Sequence, residues 1–277
     1  MQDRPLFTII MATYNRANIL PRAIRSVLTQ TYQNLELLIV DDGSTDNTEE
    51  IVRSFKDSRI VYYKQENRGV LAARNRGLDL GTGEYITLLD DDDELVPNAL
   101  EITVRYFWSI VPRSVKIIWF DGINRTTECI TNSGGELDCR DKDLGKSGWG
   151  LASEGSIYYR DLLYGKIGGN HWQVVRREII GANRFDEKLY CGEVIFWLGL
   201  HKKDQAYHVP LALRINHQDS QAHVSGYRSM LNHLPGLILT NKSWLAMYDQ
   251  KNKSYYKRLA ILRLYQVLET TRFIWKR

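Results

Sequence analysis

Between Leu6 and Glu94, short apolar runs alternate with amphipathic stretches, and three of those runs break off into polar clusters. Leu6-Phe7-Thr8-Ile9-Ile10-Met11 gives way to Ala12-Thr13-Tyr14-Asn15-Arg16. Residues 35–40 (LELLIV) give way to Asp41-Asp42-Gly43-Ser44, and residues 84–89 (EYITLL) to Asp90-Asp91-Asp92-Asp93-Glu94. Runs this short and this apolar fit strands buried on both faces. The stretches between them carry helical periodicity. In 18–31, Ile19, Ala23, Ile24, Val27 and Leu28 form one stripe, and Pro21 falls in the first turn, where its missing N–H costs nothing. Ser44 or Asp46 can cap a second helix through Ile51, Val52 and Phe55, with Glu49 and Glu50 near its positive end. Residues 59–64 form a strand pattern, 70–80 a helix closed by Gly81, and Pro97 starts a helix through Leu100, Val104 and Phe107. This βαβαβαβα order predicts an α/β fold with a mostly parallel central sheet and helices on both faces. Such sheets bind ligands beyond the carboxyl ends of their strands, so the three polar clusters share one rim.

The second half is less regular. Residues 115–120 form a strand pattern, while 122–150 are polar and glycine-rich and predict a long loop. Strands are expected at 173–177 and at 206–215, the latter broken by Pro210, with a short helix at 193–200. Helical signals dominate from Gly226 onward. Three stretches follow from this pattern: 1–100, 101–225 and a helical extension over 226–277.

The length of 277 residues allows one large domain or two small ones. A net charge of +4 is too weak to argue for a nucleic-acid partner, and none is expected. Cys129, Cys139 and Cys191 are odd in number and lack any CxxC or Cys/His ligand spacing. That argues against a structural zinc or a disulfide framework and fits a reducing cytoplasm. The opening MQDRPLFTIIMATYNR lacks a signal-peptide layout, and no run reaches the roughly 18–20 apolar residues of a membrane span. A cytoplasmic protein is expected. Residues 251–277 hold Lys251, Lys253, Lys257, Arg258, Arg263, Arg272, Lys276 and Arg277 against one acid, Glu269, interleaved with apolar and aromatic residues. A basic amphipathic helix of this kind suits peripheral contact with the inner face of a membrane. It suits equally a helix packed on the rest of the chain or on a neighbouring subunit of an oligomer.

Five consecutive acids repel one another and need a reason to stand together at a strand end. A hard divalent cation supplies one, since Mg²⁺ or Mn²⁺ takes oxygen ligands, often one or two carboxylates plus substrate phosphates. A solvated acidic loop that caps the next helix is the plain alternative. An EF-hand does not fit, because DDDDE lacks the required turn glycine and closing glutamate. Asp42 can accept hydrogen bonds from a nucleobase imide or ribose hydroxyls; a turn with a helix cap accounts for Gly43 and Ser44 but not for two adjacent carboxylates. Tyr14 can stack on a base and Arg16 can lie near phosphate. Arg68, Arg74 and Arg76 offer cations to a diphosphate or to surface salt bridges.

With these pieces in order, the sequence resembles glycosyltransferase family 2, the inverting enzymes of the GT-A fold. FTIIMATYNRANILPRAIRSVLTQTYQNLELLIVDDGSTDNT and ENRGVLAARNRGLDLGTGEYITLLDDDDELVPNAL carry the resemblance, nearly unbroken from Phe7 to Leu100. Beyond Leu100 it thins to RFDEKLYCGEVIFWLGL and LRINHQDSQAHVS. The resemblance implies a GT-A fold with a Rossmann-like sheet: a nucleotide-sugar-binding half over 1–100, an acceptor-binding half over 101–225 and a C-terminal helical tail. It implies an inverting, metal-dependent enzyme of the hexosyltransferase type. The donor would be a nucleotide diphosphate sugar, a UDP-sugar, and the acceptor a hydroxyl of a glycan or lipid-linked saccharide, in polysaccharide or glycan biosynthesis.

The resemblance also implies roles by position. Ala12 to Tyr14 and Asp42 match the part that holds the nucleotide base, and Arg74 the arginine near the nucleotide. Asp90-Asp91-Asp92 matches the DxD signature, with Asp92 on the Mn²⁺ or Mg²⁺ and Asp90 and Asp91 against ribose and the metal shell. His217 matches a histidine that touches metal or diphosphate. The family usually shows Glu-Asp three residues before Trp-Leu, the Asp being the base. Anchoring on Trp197-Leu198 puts Glu193 at that position and Gly192 before it; a shift of one would put Val194 there, which cannot take a proton. Glu193 is thus the expected base, one methylene longer than Asp, with a helix N-terminal acid as the structural alternative. Asp186 is expected to order a turn. Two other functions compete. A sugar-1-phosphate nucleotidyltransferase would need a glycine-rich basic loop where MATYNR stands. A catalytically inactive nucleotide-sugar-binding relative is favoured only by GEV in place of Glu-Asp.

Overall fold

The computed structural model describes residues 4–131, 137–146, 148–149, 154–163, 168–169, 171–190, 192–202, 205–217, 233–248, 251 and 253–275. Its first part follows the expected order: β1 (Phe7–Thr13), α1 (Leu20–Leu28), β2 (Leu35–Asp41), α2 (Thr48–Ser54), β3 (Ile60–Lys64), α3 (Val70–Leu80) and β4 (Tyr85–Leu88). β1 pairs in parallel with β2 and β4, and β2 with β3. The chain then turns through the acid run into the two-residue β5 (Glu94–Leu95), followed by α4 (Ala99–Arg105) and a π-helical turn over Tyr106–Ile110.

The second part contributes β6 (Val115–Thr131), β7 (Leu137–Lys146), β8 (Gly148–Trp149), β9 (Gly155–Ile157), α5 (Tyr159–Leu163), β10 (Gly168–Gly169), β11 (Trp172–Arg176), α6 (Arg177–Ile180), α7 (Glu193–His201) and β12 (Gln205–His217). α8 (Leu234–Met247) and α9 (Lys253–Trp275) follow. The main sheet runs β3-β2-β1-β4-β11-β6-β12-β5, with β7 on β6 and β9 on β12. Both parts of the chain therefore share one sheet. β11 is antiparallel to β4 and β6, whereas β12 runs parallel to β6.

Successive residues of a strand face opposite ways, and the buried strands carry apolar residues on both sides. On one face, Phe7, Ile9 and Met11 pack with Leu20, Ala23, Ile24 and Val27 of α1 and with Tyr85, Phe107 and Trp172. On the other, Ile10, Leu38 and Val40 pack with Leu71, Ala73 and Leu78 of α3 and with Phe196, Leu198 and Leu200 of α7. Thus α1 and α3 sit on opposite faces while both lead from the same rim.

Two expectations are corrected. The region 122–150 is not a long loop: β6 continues to Thr131 and pairs antiparallel with β7, from Ile123↔Lys146 to Thr131↔Leu137. Its β-branched Ile123, Thr126, Thr127, Ile130 and Thr131 favour a pleated strand, and the glycines obscured that signal. Nor does Pro210 end its strand. β12 runs through it, and the ladder to β6 shifts register between Val209 and Ala212, where a missing N–H is tolerated. Cys191 and the 218–225 part of the second matching patch lie outside the described residues, as does the start of the helical extension at 226–232.

Candidate active site

The parallel register brings three strand ends to one rim, with Thr13 opposite Asp41 and Ile10 opposite Leu88. Past β1 the chain reverses through Asn15, whose φ of 52° is a left-handed conformation that Asn tolerates. Its side-chain oxygen accepts from Thr45 N at 2.8 Å and Asp46 N at 3.3 Å, and its own N–H donates to Ser44 Oγ at 2.8 Å. Ala17 N donates to Asp46 Oδ2 at 3.2 Å. The first two polar clusters are thereby stitched together. Tyr14 is left 46% exposed on the rim, and Ala12 is half-buried behind it.

The two adjacent carboxylates have separate partners. Asp41 accepts from Ser44 N at 2.7 Å and from the Tyr62 hydroxyl at 2.5 Å. Burial, together with that bond, pushes the Tyr62 hydroxyl far above its ordinary pKa. Asp42 accepts from Gln65 Nε2 at 2.8 Å, Arg68 N at 3.0 Å and Gly69 N at 2.7 Å. It fixes the 65–69 loop just before α3, where Gly69 has a φ of 93°.

Arg74, on α3, spans the crevice. Its Nη2 donates to Asp90 Oδ1 at 2.7 Å and its Nη1 to Glu193 Oε1 at 2.5 Å. The Arg74 side chain is only 11% exposed, against 43% for Asp90 and 31% for Glu193. Three residues from separate parts of the sequence therefore meet, and both acids keep a face toward solvent.

The acid run alternates: Asp91 and Asp93 are buried, while Asp90, Asp92 and Glu94 are partly exposed. Burial, reinforced by the charges of Asp92 and Asp90, pushes the Asp91 carboxyl up to about 7. Burial also pushes Asp93 up to about 8, against Arg214 Nε at 3.5 Å. For Asp90, desolvation opposes the charge, but Arg74, Arg214 and Arg16 together hold its pKa below the usual value. Arg16 Nη1 lies 3.9 Å from Asp92 Oδ2, and Arg22 Nη2 donates to the Asp92 carbonyl at 2.9 Å. His217 Nε2 lies 2.6 Å from Glu94 Oε1, where β12 pairs antiparallel with β5. Sequence reading missed Arg22 and Arg214. A lone arginine on an amphipathic stripe or in a late strand carries no local signal of its partner.

The opposite wall is equally fixed. Asn75 accepts from Phe185 N at 2.8 Å and donates to Phe185 O at 2.9 Å and Glu187 Oε1 at 3.1 Å. Arg68 Nη2 pairs with Glu187 Oε2 at 2.7 Å. Asp186 accepts from Lys188 N at 3.1 Å, the turn-ordering role expected of it. The Phe185 and Phe196 rings stack at 4.0 Å, which seats the start of α7 and its first residue, Glu193.

A parallel sheet with a carboxylate turn after β4, extended by a mixed second part that enters through the antiparallel β11, is the GT-A arrangement. TarS of Staphylococcus aureus, solved with UDP-GlcNAc, superimposes with a TM-score of 0.67 at 17% identity over 94% of this chain and 72% of that one. The mannosyltransferase PcManGT from Pyrobaculum calidifontis, solved with GDP-Man and Mn²⁺, gives a TM-score of 0.59 at 18% identity over 95% and 70%. The glycosyl transferase family 2 model matches residues 8–134. A GalNAc(5)-diNAcBac-PP-undecaprenol beta-1,3-glucosyltransferase of Campylobacter jejuni is 31% identical over 271 residues, covering 92% of this chain and 82% of its own. Glycosyltransferase GlyG of Streptococcus pneumoniae is 42% identical over 99 residues, covering 35% of this chain and 33% of its own. The chain belongs to glycosyltransferase family 2 and is a glycosyltransferase enzyme.

Proposed function

We propose that this enzyme moves a sugar from a UDP-sugar to a hydroxyl of a lipid-linked saccharide or glycan, with inversion, in polysaccharide or glycan biosynthesis. The observation that carries the reading is the Arg74 bridge, which joins Asp90 of the strand-end turn to Glu193 at the head of α7. The name of the Campylobacter relative, a glucosyltransferase acting on an undecaprenol-PP saccharide, supports the acceptor class.

In this reading, Tyr14 and Ala12 flank the nucleobase, and Asp42 meets it with the acceptor capacity left after its three intramolecular bonds. Arg74 lies near the nucleotide. Glu193 takes the proton of the attacking hydroxyl. The new C–O bond forms at the anomeric carbon as the bond to the diphosphate breaks, so one displacement turns an α-linked donor into a β-linked product.

The acid turn fits a hard divalent cation. Its donors are oxygens, and burial, reinforced by the neighbouring carboxylates, lifts Asp91 and Asp93, a cost that added positive charge relieves. Asp92 would hold Mg²⁺ or Mn²⁺, with Asp90 and Asp91 in its surroundings; His217 would join only by exchanging its contact with Glu94. An ion bound there would supply charge stabilisation to the departing diphosphate.

Isothermal titration of UDP- and GDP-sugars, with and without Mn²⁺, tests the reading. Metal-dependent binding of a UDP-sugar, with turnover lost in Asp92→Asn, is expected. No binding of any donor, or normal turnover in Asp92→Asn, would overturn it.

We also infer peripheral contact with the inner face of a membrane through 251–277. No helix among the described residues is long and apolar enough to cross a membrane. In α9, Arg258 sits 3.9 Å over the Trp244 ring of α8 and Leu262 is buried, while Tyr256 and Leu264 are each 56% exposed. Anionic-liposome flotation of the whole chain and of a chain lacking 251–277 decides the matter; equal recovery removes the membrane role.

A further inference from the structure

A second group of ligating side chains lies outside the acid turn, on the neighbouring strands. Asp121 stands on β6, His208 on β12, and His171 immediately before β11. Trp172 pairs with Phe120, so the next rung brings His171 level with Asp121. All three are buried: His208 is 0% exposed, Asp121 2% and His171 7%. Asp121 Oδ1 lies 3.0 Å from His208 Nε2 and 3.5 Å from His171 Nδ1. One ligand atom from each falls within 4.8 Å of the others.

A hydrogen bond explains the Asp121–His208 contact, but 3.5 Å to His171 is long for one. A tetrahedral metal with bonds of about 2.0–2.1 Å sets its ligands about 3.3 Å apart, which suits both distances. Two imidazoles and one carboxylate are also a different donor set from the oxygen-only turn. Nitrogen donors select zinc and its neighbours, whereas carboxylates alone suit magnesium or manganese.

We propose that Asp121, His171 and His208 bind one Zn²⁺, separate from the ion of the acid turn, and that it clasps β6, β11 and β12 together. The clasp falls where the β6–β12 ladder is irregular, beside the shift between Val209 and Ala212. It also lies beneath α7. The Trp119 ring is 5.2 Å from His171, and its Nε1 donates to His201 Nε2 at 3.1 Å, on the helix that begins with Glu193. The three ligands come from distant parts of the chain, so no sequence spacing announces them.

The full chain is stripped with a chelator, equilibrated with Zn²⁺, desalted and assayed for metal content. One Zn²⁺ per chain is expected in wild type and in Asp92→Asn, and none in His171→Gln or His208→Gln. Co²⁺ in the same chains should give the visible absorption of a nitrogen-ligated ion in the first pair only. Loss of the zinc in Asp92→Asn, equal zinc in the histidine variants, or no zinc in wild type each overturns the proposal. Should the histidine variants fail to fold, the melting temperature of Asp92→Asn decides. A rise with Zn²⁺ that a chelator reverses is expected, and an unchanged value refutes the clasp.

Discussion

Arg74 holds Asp90 and Glu193 in one hydrogen-bonded unit although Glu193 lies 119 residues further along the chain. The guanidinium fork matters, since one cation serves two carboxylates in fixed directions. If Glu193 is the base, Glu193→Gln should lower kcat by about 10²–10⁴-fold while donor affinity changes little. Arg74→Lys keeps a charge but not the fork, and should weaken donor binding and turnover together. Single-turnover rates and donor titrations on both variants separate the effects. A Glu193→Gln enzyme that loses donor affinity and keeps its turnover would make this acid a donor contact instead.

Asn75 tests how the far wall is held. Asn75→Ala leaves the Phe185 N–H and C=O without their side-chain partner in a buried place. The cost should be on the order of 2–4 kcal/mol. Urea unfolding measures it; a midpoint within error of wild type would show that 185–187 is held by other contacts.

Gly83 tests how closely the chain packs at the foot of the sheet. A Cβ there would meet Leu6 O and Thr8 N at 2.6 Å each, both backbone atoms that cannot swing away. Gly83→Ala should destabilise by at least about 1–3 kcal/mol. Thermal melting should show it, with metal-dependent donor binding surviving in the folded fraction.

His201 sets an acid limit on stability. Burial pushes its pKa down from 6.5 to about 3. The unfolded chain takes up a proton near 6.5 and the folded chain does not until about 3, so the stabilisation is complete above 6.5 and drains away as pH falls. The slope is at most about 1.4 kcal/mol per pH unit. His201→Gln keeps an acceptor for Trp119 and does not titrate, so its melting temperature should fall less steeply between pH 6.5 and 4.5. Parallel curves for the two proteins would assign the acid limit elsewhere.

Most of the first hundred residues were legible because β1, β2 and β4 are short apolar runs bounded by turn chemistry and α1 is a clean stripe, whereas the two-residue β5 has no such signal. The residues of the acid turn were legible for the same reason: Asp90 to Glu94 stand directly after a buried strand. What could not be read is what depends on pairing across the chain. Nothing local says that β11 enters antiparallel between β4 and β6, or that Arg214 returns to Asp93. The same holds for Asp42. Its sequence neighbours show a turn, but the N–H groups of Arg68 and Gly69 that it caps belong to the next crossover.

Glu94 and Leu95 pair with Ile215 and Arg214 immediately after the acid turn, and Asp93 and Glu94 are met by Arg214 and His217. The turn is therefore anchored at its start by β4 and at its end by a strand from the far part of the sequence. The unit that can be exchanged between relatives is then not a contiguous half of the chain. A hybrid joined at Leu100 would pair one parent's acid turn with the other's β12, and would keep a working turn only if residues 205–217 travelled with the first hundred.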